Sequence, residues 1–384
     1  MKNIKFIHCA DIHLDTPFSS LGTLYGKSSI RRQDIKMTFE TIIEMAYKEQ
    51  VDFLFICGDL YEHNYIRKST INFINDSFEK IKNTKVIMIP GNHDPWVKGA
   101  YYKSFNWADN VYILTDDRPY IGFEEEGVWV GQGDMFLLGQ RDMQPVPLSN
   151  INFLLLHGSV DFDFNKNSYN PISSKTLALI GMDYIALGHF HNRIDKVAGL
   201  QNIYNPGSPE PLGFDETGKH GYFIGNISKD QFNNKKLEVK FISASRKEYV
   251  ESEVNITDCT TDEGIIKKIN DRLAQIVTNA ESYSNLLASI TLTGYISSQF
   301  TVDIEYITSY FNDKLFYIKI KNEAVPDYDF DEIKKEIGLK GLFVRKIFEL
   351  IDTAKDREEK ELLIKSLYYG VEAIEKGQVD ISDY

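Results

Sequence analysis

Residues 86–94 read Val-Ile-Met-Ile-Pro-Gly-Asn-His-Asp, and residues 184–191 read Tyr-Ile-Ala-Leu-Gly-His-Phe-His. In both, a short apolar run reaches a glycine, and amide, imidazole or carboxylate groups follow within a few residues. An apolar run of this length, closed by glycine, reads as a buried strand rather than a helix. Related patterns recur with Ile4–Cys9 before Asp11-Ile12-His13, Phe53–Cys57 before Gly58-Asp59, and Phe153–Leu156 before His157-Gly158. Helical spacing fills the gaps. Ile35, Phe39, Ile42, Ile43 and Ala46 share a face between Ile30 and Gln50, and a second helix is expected over Ser69–Ile81. Strands that alternate with helices predict an α/β layered fold with helices on the sheet faces.

Further along, runs at Val111–Leu114, Val128–Val130 and Met135–Leu138 read as β meanders. Ile203–Asn205, Tyr222–Ile227 and Leu237–Ile242 suggest a second, more antiparallel sheet packed on the first. Composition shifts near Arg246. A strand at Tyr249–Val254, a helix from Glu263 to Thr278, a strand at Leu286–Leu292, a helix at Val302–Tyr310 and a strand at Phe316–Ile320 predict a small α+β domain. After Pro326 the chain reads as two charged amphipathic helices, one striped by Phe343, Ile347, Leu350 and Ile351, the other by Leu363, Leu367, Val371 and Ile374. The expected divisions are 1–245, 246–325 and 326–384.

The net charge of −13 over 384 residues argues against coating nucleic acid by bulk charge, although it allows a local basic groove. Three scattered cysteines, Cys9, Cys57 and Cys259, do not make a disulfide framework, and a reducing cytoplasm is the expectation. No signal peptide is visible, and the apolar runs are too short to span a membrane.

The histidines carry the chemistry. Seven of the eight lie at or beside strand ends in the first half. In open α/β sheets, binding groups gather outside the carboxyl ends of strands, so five strands deliver Asp, Asn and His to one rim. Such a mixture without thiolates suits a borderline or hard divalent metal such as manganese, iron or zinc. The number of groups suits two ions, with Asp59 the natural bridging carboxylate. Two ions ~4 Å apart clamp the attacking and leaving oxygens of a phosphoryl displacement and lower the pKa of bound water. His8 alternates away from the rim and reads as a packed histidine; His220 reads as a loop residue, and Asp94 as a turn cap or a functional group.

The order DxH, GDx, GNHD, H, GHxH resembles the calcineurin-like metallophosphoesterases. Within them, the opening FIHCADIHLD (6–15), the run YNPGSPEPLGFDETGKHG (204–221) and the tail resemble bacterial DNA-repair exonucleases of the SbcD type, in their YhaO-like branch. The resemblance implies a layered β-sandwich flanked by helices, with a small capping domain and a helical tail. It implies two divalent ions, most commonly Mn(II). One would be held by Asp11, His13, Asp59 and His191, the other by Asp59, Asn92, His157 and His189. His93 would sit near the phosphate as the catalytic histidine, oriented by Glu62 or by His63 beside it. The implied activity is phosphodiester hydrolysis of DNA in repair, as exonuclease or endonuclease, with an SMC-like ATPase of the SbcC type docked on the C-terminal helices and with homodimerisation common in the family.

DNA contacts are expected from Arg193, Lys98 and Lys103, with Arg31, Arg32, Lys235, Lys236, Lys240, Arg246, Lys247, Lys267 and Lys268 as further basic candidates. Trp96, Tyr101, Tyr102, Phe105 and Trp107 are candidate stacking platforms. The alternative is a calcineurin-like phosphodiesterase or phosphatase for a small phosphoester, a cyclic nucleotide or a phosphoprotein. That reading leaves the cap and tail without a purpose.

Overall fold

A computed structural model describes residues 2–21, 26–133, 149–161, 169–276 and 280–377. The chain divides into two compact units, Met1–Glu248 and Tyr249–Tyr384. In the first, β1 (Lys2–Cys9), β2 (Phe53–Cys57), β3 (Lys85–Ile89) and β4 (Val111–Ile113) run parallel, and β10 (Gly221–Lys229) and β11 (Lys235–Ser243) extend the sheet from β1 in the order β11-β10-β1-β2-β3-β4. A second sheet has the order β5 (Tyr120–Phe123), β6 (Val128–Gln132), β7 (Ile151–His157), β8 (Tyr184–Gly188) and β9 (Ile203–Tyr204).

Every residue of β2 and β7 is buried, so both faces of their sheets are covered. One face of each sheet meets the other sheet. Phe153 lies 5.3 Å from Phe6 and 4.8 Å from Phe55 between ring centroids, and Phe6 lies 4.6 Å from Tyr184. These rings centre a continuous core, so the fold is a β-sandwich with helices outside. Helices Lys27–Glu49 and Lys68–Lys80 pack together through Phe39, Phe73 and Phe78. Leu154, Leu156, Ile185 and Leu187 on the outer face of the second sheet pack with Leu177, Met182 and Val197. His8 is buried across the sandwich. Its Nε2 donates to the Leu187 carbonyl at 2.9 Å, which leaves Nδ1 to accept from the Tyr184 hydroxyl at 2.9 Å.

The sheet assignments differ from the sequence reading in two places. The hairpin β10–β11 joins the first sheet antiparallel to β1, rather than founding a second one. The free edge of β1, with four of its last five residues fully buried, needs a partner, and the apolar alternation of β10 supplies it. The stretch 111–132 is not a simple meander, because β4 pairs parallel with β3 while β6 pairs antiparallel with β5 and parallel with β7. The expected strand at Met135–Leu138 lies outside the described residues.

In the second unit, strands Glu248–Asn255, Leu286–Thr293 and Tyr317–Asn322 form a sheet, with helices Asp262–Ile276 and Ile304–Asn312 sharing its core through Ile265, Ile269, Leu273, Ile307 and Phe311. Helices Leu339–Thr353 and Arg357–Lys376 pack on each other around Val344, Leu367 and Val371. Among the described residues no helix is long and apolar enough to cross a membrane.

Candidate metal centre

The parallel strands carry their carboxyl ends to one rim. Asp11 and His13 follow β1, Asp59 follows β2, Asn92 and His93 follow β3, His157 ends β7, and His189 and His191 follow β8. The turns are sharp. Asp11, His13 and Asp59 have φ 52° and His189 has φ 100°, in the region that side chains other than glycine rarely adopt. Such backbone strain gathers at functional sites and persists only where surrounding structure enforces it. Here the amides of Asp11, His13 and Leu14 donate to the carbonyls of Gly58, Asp59 and Leu60 at 3.2, 2.9 and 3.0 Å, zipping two strand-end loops together. Gly58 has φ 81°, and a Cβ there would overlap the His157 ring.

The side chains converge with their lone pairs inward. His13 Nδ1 donates to Glu62 Oε1 at 2.8 Å and His191 Nδ1 donates to Glu216 Oε1 at 2.7 Å. Protons held at Nδ1 leave the two Nε2 atoms facing each other at 3.2 Å. His157 repeats the arrangement. Its Nδ1 donates to the Cys57 carbonyl at 2.8 Å, while Nε2 lies 2.9 Å from Asn92 Oδ1 and 3.2 Å from Asp59 Oδ2. His189 Nδ1 is 3.2 Å from the same Asn92 oxygen. Asp59 Oδ2 is buried without a hydrogen-bond partner, and lies 3.7 Å from His13 Nε2. Asp11, His13 and His191 form one group of potential ligand atoms, and Asp11, Asp59 and His157 another. Converging acceptors of this kind are costly unless a proton or a cation lies between them. The donor set of carboxylate, amide and imidazole oxygens and nitrogens fits divalent metal.

The electrostatics agree. Burial opposes charge on His157 and His191, yet Asp59 beside the first and Glu216 with Asp11 beside the second push both up to about 9. Burial raises the Asp11 carboxyl against the pull of the surrounding imidazoles. Burial also works against charge on Asp59, but its contacts with His157 and His13 win and hold it well below the usual carboxylate range. Burial and the neighbouring His157 lower His189 to about 4. Positive charge is therefore favoured at the buried imidazoles next to the carboxylates, the potential that a divalent cation requires.

His93 stands differently. Its amide donates to Asp59 Oδ1 at 2.7 Å, its Nδ1 donates to Glu62 Oε2 at 3.0 Å, and its side chain remains 44% exposed. Glu62 thus joins His13 and His93 with its two oxygens, against burial that is outweighed by those contacts, and it falls to about 2. His63 does not share that role. Its Nδ1 is buried without a hydrogen-bond partner, and its amide donates to the His93 carbonyl at 3.0 Å. Asp94 is buried and accepts from the amides of Gly91, Asp59 and Leu60 and from the Tyr102 hydroxyl, so it fixes the turns rather than facing the cluster.

The basic candidates scatter. Arg193 stacks on Phe241 at 4.2 Å and pairs with Asp195 at 3.0 Å. Lys98 is exposed, and Lys103 lies over the Trp96 ring at 4.6 Å. Arg31 corrects the sequence reading. It is fully buried and donates to Asp34, Glu210 and the Pro211 carbonyl. Tyr102 likewise is buried on Asp94 and is no stacking platform. Lys268 caps the carbonyls of Asn255 and Thr257. The sequence reading quoted the run 204–221 but gave no role to Glu216 within it, 25 residues past His191, and it missed Tyr169, whose ring lies 5.8 Å from His157 and 5.6 Å from His189.

The family model for calcineurin-like phosphoesterases matches residues 4–193, which include all seven converging Asp, Asn and His residues. The uncharacterized metallophosphoesterase YhaO of Bacillus subtilis is 26% identical over 291 residues, covering 72% of this chain and 69% of its own length. The DNA double-strand break repair protein Mre11 of Archaeoglobus fulgidus is 24% identical over 414 residues, covering 98% of this chain and 87% of its own. The SbcD component of the nuclease SbcCD of Staphylococcus epidermidis is 24% identical over 267 residues, covering 60% of this chain and 68% of its own. Strand-end ligand groups, sandwich and family match coincide, and the chain carries a calcineurin-like metallophosphoesterase domain.

Proposed function

We propose that the chain is a two-metal phosphodiesterase that cleaves DNA in repair, with Mn(II) as the working metal. One observation carries the reading: lone pairs of four imidazoles, two carboxylates and an amide converge around Asp59, with a half-exposed histidine, His93, held beside them. The ions would be held as the family pattern implies, by Asp11, His13, Asp59 and His191 and by Asp59, Asn92, His157 and His189. Bound metal supplies charge neutralisation and a nucleophilic water. The chain's own residues do the rest. Asp59 joins the two ligand groups, and Glu62 keeps a proton on His93 Nδ1, leaving Nε2 to serve the leaving oxygen or the phosphate.

The repair proteins among the relatives support DNA as the substrate. Arg193, Lys98 and Lys103 are the proposed backbone contacts. The segment 246–325 is proposed as a cap and 326–384 as the docking segment for an SMC-like ATPase of the SbcC type. The helical pair supports the latter by leaving Leu339, Leu342, Leu350 and Leu362 exposed. Homodimerisation and a cytoplasmic setting complete the proposal, the latter suited to three buried unpaired cysteines.

The test is Mn(II)-dependent degradation of end-labelled linear DNA, with Asp59→Ala as control. Degradation by the wild type alone supports the reading. Turnover of a chromogenic phosphodiester with DNA left intact, even with the ATPase present, would overturn the DNA assignment.

A further inference from the structure

The run from Asn205 to His220 lies beyond the matched domain, yet Asn205, Ser208 and Glu216 within it are buried and reach the loop that carries His191. Asn205 Nδ2 donates to the carbonyls of Phe190 and Asn192 at 2.7 and 3.1 Å. The Ser208 amide donates to the His191 carbonyl at 2.9 Å. Gly207 has φ 74°, and a Cβ there would run into that same carbonyl, so the backbone can approach only as glycine. The backbone on both sides of His191 is thereby clamped.

The side chain is clamped as well. Glu216 is 3% exposed, and its Oε1 accepts from His191 Nδ1 at 2.7 Å. Its other oxygen accepts from the Ser208 hydroxyl at 2.6 Å and the Leu212 amide at 3.0 Å. Behind Ser208, buried His220 donates from Nδ1 to the Ser208 carbonyl at 2.8 Å, and its own carbonyl accepts from the Ala244 amide at 2.9 Å. Each link is short, and Glu216, Ser208 and His220 are themselves buried.

We propose that Glu216 is the positioning residue of the metal centre. Holding the His191 proton at Nδ1, it fixes the tautomer and aims the Nε2 lone pair at His13 Nε2. Ser208 and Leu212 in turn prevent the carboxylate from turning away. A carboxylate behind an imidazole ligand sets both its orientation and its basicity, and its loss typically lowers metal affinity about 10–100-fold. The inference rests on the reading of His191 as a ligand.

Binding of Mn(II) to the full chain, measured by competition with a chelator at one pH, tests it. His191→Ala should lose one of two ions. Glu216→Ala should weaken one ion about 10–100-fold, and Glu216→Gln, which keeps an acceptor for Nδ1 but sets its NH2 against the Leu212 N–H, should recover part of the loss. Ser208→Ala, which leaves Glu216 in place, should weaken the same ion by a smaller factor and serves if Glu216→Ala does not fold. Loss of an ion in His191→Ala with wild-type affinity in both Glu216→Ala and Ser208→Ala would overturn the positioning role alone. Two ions retained in His191→Ala would overturn the ligand reading beneath it.

Discussion

Glu62 offers the sharpest test of how the rim works, because one carboxylate serves two histidines with different duties. Its Oε1 holds His13 at 2.8 Å and its Oε2 holds His93 at 3.0 Å, and the two rings cross at 81° with centroids 4.7 Å apart. Glu62→Ala therefore acts along two routes that can be separated. Through His13 it loosens a proposed metal ligand, an effect that saturating Mn(II) should remove. Through His93 it deletes a hydrogen bond to a charged group, worth about 1.5–3 kcal/mol when desolvated. With His93 44% exposed, solvent screening takes this to the lower end. About 1.5 kcal/mol corresponds to roughly a tenfold fall in kcat. His93→Ala should cost more, about 10²–10⁴-fold, as the loss of the proposed general acid.

The assay is turnover of bis-p-nitrophenyl phosphate at saturating Mn(II) in a double-mutant cycle. If Glu62 acts through His93, adding Glu62→Ala to His93→Ala changes kcat no further. A further tenfold loss in the double variant would refute the argument, as would an unchanged kcat in Glu62→Ala. The pH profile gives a second check. The bond to Glu62 raises the pKa of His93, so the protonated acid persists to higher pH and activity falls as pH rises through that value. Without Glu62 the descending limb should move to lower pH.

Two further outcomes concern stability, read by tryptophan fluorescence, since Trp96, Trp107 and Trp129 all lie in the first unit. Glu210 is fully buried and accepts from Arg31, Thr38 and the amides of Arg246 and Lys247. Glu210→Ala removes one of the two carboxylates that hold buried Arg31 and should lower unfolding free energy by about 3–5 kcal/mol; a loss under about 1 kcal/mol would show that the network carries little. His8 is lowered from 6.5 to about 3 by burial. Its depressed value means that the unfolded chain binds the proton first, so stability is complete above pH 6.5 and declines by about 1.4 kcal/mol per pH unit on the way down toward pH 3. His8→Gln, which can donate to Leu187 and accept from Tyr184, should flatten the urea midpoint between pH 7 and 5.

The rim was legible in the sequence because strand burial and strand-end chemistry are local. Val86–Ile89 must be covered on both faces, and whatever follows its glycine must emerge at the sheet edge. What was not legible depends on partners far along the chain. Arg31 reads as a surface charge until Glu210, 179 residues later, arrives beside it. Glu216 sits in a turn with no periodicity to mark it. The β10–β11 hairpin has the alternation of any half-buried pair, and only the open edge of β1 decides which sheet receives it. The tail stripes were visible, but a stripe does not say how much of it a neighbour covers. Phe343 and Ile347 pack on the helical partner while Leu350, in the same stripe, stays 51% exposed.

The strained turns connect these scales. Four residues other than glycine on the rim, Asp11, His13, Asp59 and His189, stand at positive φ. At about 1–3 kcal/mol each, the strain is comparable with the net stability of an ordinary domain. It is sustained because each turn is tied by hydrogen bonds, from Asp94 behind the cluster and between members of the cluster itself. Asp94 takes the amides of Asp59 and Leu60, the Asp11 carboxylate takes the amide of His189 at 3.0 Å, and the Gly58–Leu60 carbonyls take the amides after β1. These ties fix where lone pairs point before any ion arrives, so an ion need not reorganise the rim to bind. Asp94 and Glu216 act on the rim from buried positions. Orientation is set from behind, by carboxylates that the sandwich buries, and the face left open is the one lined by His93, His189 and Asn92.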